Sequence, residues 1–163
     1  MRTTSNNIVI GLGNQYRRDD AAGLIVARRL RGRTSCAVWE HSGETVALME
    51  YWKGADMVII ADAVQSGGAP GTIHRFDATM GRLPGRFFRT STHAVNLVEA
   101  VELARALTQL PRRLIVYGIE GQNFEAGIGL SVDVESAIQE VVERILGEIG
   151  ATNPSKTVPP PSR

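Results

Sequence analysis

Ile8-Val9-Ile10-Gly11-Leu12-Gly13, followed by a turn over Asn14–Arg18 and then Asp19-Asp20-Ala21-Ala22-Gly23-Leu24-Ile25-Val26-Ala27-Arg28-Arg29-Leu30, is the most informative stretch of the chain. The first six residues are a short β-branched apolar run ended by glycines, the pattern of a buried strand. The following segment opens with acids and closes with arginines, which complements the dipole of a helix over 19–30. The unit is therefore strand, turn, helix.

The same alternation continues outward. Ala37-Val38-Trp39 reads as a second, weaker strand. Thr45–Trp52 reads as a helix with Gly54 just past its end. Met57-Val58-Ile59-Ile60-Ala61-Asp62 is the clearest strand, with a carboxylate at its C-terminal end. Thr72–Phe76 alternates like an edge or hairpin strand, and 77–90 reads as a loop. Thr92 is placed to cap a helix carrying Val95, Leu97, Val98, Val101, Ala104 and Leu107. Leu114–Gly118 is another buried strand. Ser131 is placed to cap a last helix with the stripe Val134, Ile138, Val141, Val142, Ile145 and Ile149. Strands alternating with helices predict a three-layer α/β domain over residues 1–150, with a mixed sheet of about five strands and helices on both faces. The Pro-rich tail 151–163 lacks an apolar pattern and reads as disordered.

Composition narrows the function. The 163 residues are 43% hydrophobic and 21% charged, ordinary for one globular domain. A lone cysteine, Cys36, excludes an internal disulfide framework and a Cys-rich zinc site. The net charge of +1 argues against a strong global attraction to nucleic acid. No apolar run is long enough to span a membrane, and the polar start Met1–Asn7 does not read as a signal peptide. The expectation is a cytoplasmic monomer with neither nucleic acid nor membrane as partner.

In open α/β sheets ligands bind beyond the carboxyl ends of the strands. That rule selects Asn14, Asp19 and Asp20 after the first strand, and Glu40, His41 and Glu44 after the second. It also selects Asp62, then Glu120 and Asn123, with His93 at a helix start. Gly11-x-Gly13 fails the dinucleotide fingerprint because position 16 is Tyr, and no Lys-Ser/Thr pair makes a P-loop. Taken singly, Asp20 is explained as a helix-start acid, Asp19 better still as the residue that precedes the helix and can cap it, Asp62 as a strand-end turn residue and His93 as a helix-start residue. His74 has no acidic neighbour in sequence and reads as structural or surface. Taken together, Asp20, Asp62 and His93 bring two oxygen ligands and one nitrogen ligand to one sheet edge. Such a set suits a first-row divalent ion with coordination positions left open.

Four motifs in order resemble a known family. They are Gly11-Leu12-Gly13-Asn14 with Asp19-Asp20 and Gly23; Asp62-Ala63 followed by Pro70-Gly71-Thr72; Ser91-Thr92-His93; and Gly118-Ile119-Glu120 with Gly129-Leu130-Ser131. They resemble the hydrogenase maturation proteases, endopeptidases that remove the C-terminal extension of the [NiFe]-hydrogenase large subunit. The resemblance spans about Ile8 to Gly147. It implies a phosphorylase/hydrolase-like sandwich, and it maps the family's two acids and histidine onto Asp20, Asp62 and His93. It further implies that the ion is nickel already inserted in the large-subunit precursor, so that the protease reads nickel loading before it cuts. The family's Asp-x-Gly selectivity motif falls on Glu40-His41-Ser42-Gly43-Glu44. Gly43 fits there, but His41 stands where Asp is expected, which makes Glu40, His41, Gly43 and Glu44 the selectivity candidates.

No Ser-His-Asp set or His-Glu-x-x-His motif is evident, so water is the expected attacking group, with Asp20 and Asp62 as candidate catalytic acids. Two other functions compete. A peptidyl-tRNA hydrolase-like esterase also opens with Gly-Leu-Gly-Asn, but needs a His followed by Asn where this chain has Asp19-Asp20. A non-catalytic hydrogenase-assembly chaperone would keep the ligands without cutting.

Overall fold

The computed structural model describes residues 5–88 and 92–152, with the side chains of 92–95 and 151–152 outside the description. In chain order the elements are β1 (Asn7–Leu12), α1 (Ala22–Leu30), β2 (Ala37–His41), α2 (Thr45–Trp52), β3 (Met57–Val64), β4 (Ile73–Asp77), α3 (Thr92–Ala106), β5 (Arg113–Glu120) and α4 (Val132–Thr152). The five strands lie in the order β2-β1-β3-β5-β4. All pairings are parallel except β4 on β5. This is the expected α/β sandwich with a mixed sheet.

The three central strands read as continuous apolar runs because both of their faces are covered. Alternation divides them. Ile8, Ile10, Leu12, Val58, Ile60, Leu114 and Val116 face α2 and α3, where Leu48, Trp52, Leu97 and Val101 close one core. Val9, Ile59, Ala61, Ala63, Ile115 and Ile119 face α1 and α4, where Val26, Leu30, Ile138 and Val142 close the other. Gly11 and Gly23 let α1 approach the sheet. A Cβ at Gly11 would lie 2.1 Å from the Gly23 carbonyl oxygen, and one at Gly23 would lie 2.2 Å from that of Ala61.

Local details differ from the sequence expectations. Asp19 and Asp20 sit in a short 3-10 turn, Arg18–Ala21, and α1 begins only at Ala22. β3 continues to Val64, so Asp62 lies inside the strand, opposite Gly118 of β5. β4 is no hairpin partner of β3. β5 lies between them, and β4 closes the sheet edge against β5. The loop 77–90 contains a further 3-10 turn, Gly85–Phe88. The helix at the C-terminus runs through Thr152, and 153–163 of the expected disordered tail lie outside the described residues.

Candidate active site at the β1/β3 switch point

α1 covers one face of the sheet and α2 the other, so the chain leaves β1 and β2 toward opposite faces. The strand order thus reverses between β1 and β3, and a crevice opens beyond their carboxyl ends. Asp20 follows β1 and is fully buried. Asp62 lies near the end of β3 and is also fully buried. By alternation Asp62 shares the face of Ile60 and Val64, the face covered by α3. α3 enters from the same end of the sheet, which puts the backbone of His93 in its first turn there. The side chain of His93 lies outside the described residues. Among the described residues no three His, Cys, Asp or Glu side chains cluster as a metal site.

The turn that carries Asp20 explains the Gly-x-Gly-Asn motif. Asn14 Oδ1 accepts the Tyr16 N–H at 2.9 Å, and the Asn14 carbonyl accepts the Arg17 N–H at 3.2 Å. The Asp20 carbonyl accepts the Asn14 N–H at 3.3 Å. A Cβ on Gly13, whose φ is +156°, would lie 2.1 Å from that carbonyl oxygen. Only glycine therefore lets the turn fold back over Asp20.

The adjacent acids do different things. Asp19 is buried and accepts four hydrogen bonds: from the Gln122 and Asn123 N–H groups at 2.8 Å each, and from the Ser131 N–H and hydroxyl at 2.7 Å each. Burial alone pushes this carboxyl up. The bonds from Ser131, Asn123 and Gln122 outweigh it and hold the group below its ordinary value of 3.8. Asp19 pins the loop 121–131 to the turn and caps no helix of its own. Asp20 Oδ2 instead lies 3.7 Å from the Arg17 guanidinium. Asp20 also lines a cavity of about 570 Å³, shared with Asn14, Arg17, Ser42, Glu44 and Asn96.

The selectivity candidates divide in the same way. Glu40 is held by Arg28 of α1 at 2.8 Å and by Arg31, the residue just past the end of α1, at 2.6 Å. His41 Nδ1 accepts the Gly43 N–H at 2.7 Å, and its ring meets Tyr51 edge-on. Burial pushes the His41 pKa below 6.5, against the opposing charge of Glu44. Gly43 has φ +93°, a value that favours glycine. Of the four, Glu44 lines the Asp20 cavity.

Glu120 is a second buried hub. It accepts from the Ser66 N–H and hydroxyl at 2.7 Å each and from the Gly67 N–H at 3.1 Å, and it lies 3.1 Å from His74 Nε2. His74 therefore does have an acidic neighbour, brought from β5 by the antiparallel pairing. Asn123 belongs to the loop that Asp19 pins, its carbonyl accepting the Asp19 N–H at 3.0 Å. Arg17, Ser42 and Asn96 were not evident from sequence. Only Arg17 carried a signal, its i,i+3 spacing from Asp20.

A family model described as hydrogenase maturation protease matches residues 39–148. The hydrogenase 2 maturation protease of Escherichia coli (strain K12) is 26% identical over 148 residues, covering 87% of this chain and 89% of that protein. The hydrogenase expression/formation protein HupD of Thiocapsa roseopersicina is 24% identical over 152 residues, 90% of this chain and 68% of that protein. The solved structure of the hydrogenase maturating endopeptidase HybD from E. coli superposes with a TM-score of 0.78 at 25% identity, covering 91% of this chain and 94% of that one.

Proposed function

The chain belongs to the hydrogenase maturation protease family and is a peptidase, and we propose that it removes the C-terminal extension of a [NiFe]-hydrogenase large-subunit precursor once nickel has been inserted. The observation that carries this reading is the pair of buried carboxylates at the β1/β3 crevice, Asp20 and Asp62, with the first turn of α3 entering from the same end. Two carboxylates and the imidazole of His93 form a donor set that suits a borderline divalent ion. The nickel belongs to the substrate. Held by these residues, it fixes the scissile bond beside the carboxylates and polarises its surroundings.

The protein's own residues then supply the chemistry. A water attacks the peptide carbonyl, and Asp20 or Asp62 accepts its proton. The same carboxyl returns that proton to the leaving amine, so no covalent intermediate is needed. A positioned general base contributes on the order of 10²–10⁴-fold. Glu44 and its neighbours on the β2–α2 loop face the incoming precursor and contribute to the choice of hydrogenase.

The test is cleavage of purified precursor with and without nickel. Cutting of the nickel-loaded form alone is expected. Cutting of the nickel-free form refutes the nickel requirement. Binding of the loaded form without any cutting supports an assembly chaperone instead.

A further inference from the structure

We propose that Arg17 is a built-in competitor for the cation position at Asp20, a charged arm that must swing aside before a metal ion can be met there. The inference rests on the reading that Asp20 meets the substrate's nickel.

Local geometry puts Arg17 in that position. Side chains three apart eclipse on a 3-10 turn, and Arg17 immediately precedes the turn that holds Asp20. The backbone on which Arg17 stands is fixed from both sides. Its carbonyl accepts the Asp20 N–H at 3.0 Å, the Arg18 N–H donates to the Gly127 carbonyl at 3.1 Å, and the Gly127 N–H donates to the Tyr16 carbonyl at 2.8 Å. Arg18 adopts φ +45°, a left-handed conformation that a non-glycine residue rarely takes. The anchor is rigid, whereas the side chain has room to move. The Arg17 side chain is 36% exposed, against 0% for that of Asp20.

The contact is also of a kind that can open. At 3.7 Å, the Nη1–Oδ2 separation is an ion pair and too long for a direct hydrogen bond. No bidentate fork locks it. Both groups line the same cavity, and Arg17 is the one basic residue among the described residues lining it. A cation approaching Asp20 through that cavity meets the guanidinium first. Glu44 lines the same cavity and offers the displaced arm a second carboxylate. The arm lowers the affinity of the crevice for loose divalent ions. Nickel carried in by a docked precursor brings further binding energy and displaces it.

Equilibrium binding of Ni²⁺ alone to untagged protein, read by calorimetry, tests this without any cleavage. Arg17→Leu should bind Ni²⁺ about tenfold more tightly than wild type, equivalent to about 1.4 kcal/mol. Arg17→Lys keeps a charge on a similar stalk and should stay within about threefold of wild type. In the Asp20→Asn background the effect of Arg17→Leu should vanish, because the coupling runs through that carboxylate. Equal affinities for wild type and Arg17→Leu, or an effect that survives Asp20→Asn, overturn the proposal while leaving the ligand assignment standing. If Asp20→Asn itself leaves Ni²⁺ binding unchanged, or neither protein binds Ni²⁺, the ligand assignment and the competitor role fall together.

Discussion

Asp19 receives both the backbone N–H and the hydroxyl of Ser131 at 2.7 Å each, which ties the turn after β1 to the residue preceding α4 across 112 positions of sequence. The same carboxylate holds Gln122 and Asn123. Its neighbour Asp20 lines the cavity at the crevice. Two consecutive acids thus serve two ends: one organises the loops, the other lines the cavity.

Asp19→Asn should therefore be a stability variant. The amide places N–H groups against backbone donors, and the cost expected from losing charge-assisted bonds in a buried position is about 2–3 kcal/mol. The pH dependence has a definite sign. The folded carboxyl lies below 3.8, so its contribution is complete above that value and is lost as pH falls through the folded pKa. Urea melts of wild type and variant should converge on acidification. A gap that stays constant below pH 3.8 refutes the assignment.

Asp20→Asn should behave in the opposite way. Shape is kept and the charge is removed, so the unfolding free energy should change by about 1 kcal/mol or less. Precursor cleavage should fall by at least about 10²-fold, the usual worth of a lost general base or its equivalent. Asp19→Asn, assayed well below its melting temperature, should retain more activity than Asp20→Asn. The reverse ranking means that the reactive acid of the pair is Asp19.

How much of this was readable in the residues depends on the range of the interaction. The apolar runs at Ile8, Met57 and Leu114 and the glycines beside them are local signals, and they marked the strands and the sheet edge correctly. The placement of Asp20 and Asp62 at one end of the sheet was reachable because strand order dictates which residues share an edge. The residues single out Asp20 over Asp19, but the loop-pinning role of Asp19 is not readable in them. It depends on a loop more than 100 residues away, brought back by the pairing of β3 with β5. The partner of His74 was hidden for the same reason, since Glu120 is 46 positions distant and β5 intervenes between β3 and β4. The 3-10 turn that sets Arg17 over Asp20 was obscured by the acids themselves, which read equally well as the start of a regular helix.

His41 gives a pH-dependent prediction. Its Nδ1 can accept the Gly43 N–H only while unprotonated. Burial holds its pKa below 6.5, so neutral His41 stabilises the loop above that value, and the contribution is lost as pH falls through the folded pKa. Exchange of the Gly43 amide should quicken on acidification in step with the His41 ring titration seen by NMR. An aspartate also presents an acceptor to that N–H, so His41→Asp should keep the amide protected through the same range. Uniform protection of Gly43 in wild type on both sides of the ring titration rejects the link between the two.

His93→Ala separates ligand from base. The residue lies in the first turn of α3, a helix that packs on the face of β3 shared by Asp62 and enters the sheet from the end where Asp20 and Asp62 lie. An imidazole contributed from that position adds the nitrogen donor that two carboxylates lack. Its removal takes away a ligand and leaves both acids able to accept a proton. The expected defect is therefore in capture: His93→Ala should retain less nickel-loaded precursor in a pull-down than wild type, while both retain the nickel-free precursor equally. Asp20→Asn should show the same capture defect together with the loss of proton transfer. If His93→Ala holds the loaded precursor as well as wild type does but cannot cut it, the histidine acts in the chemical step, and the roles assigned to the imidazole and the carboxylates must be exchanged.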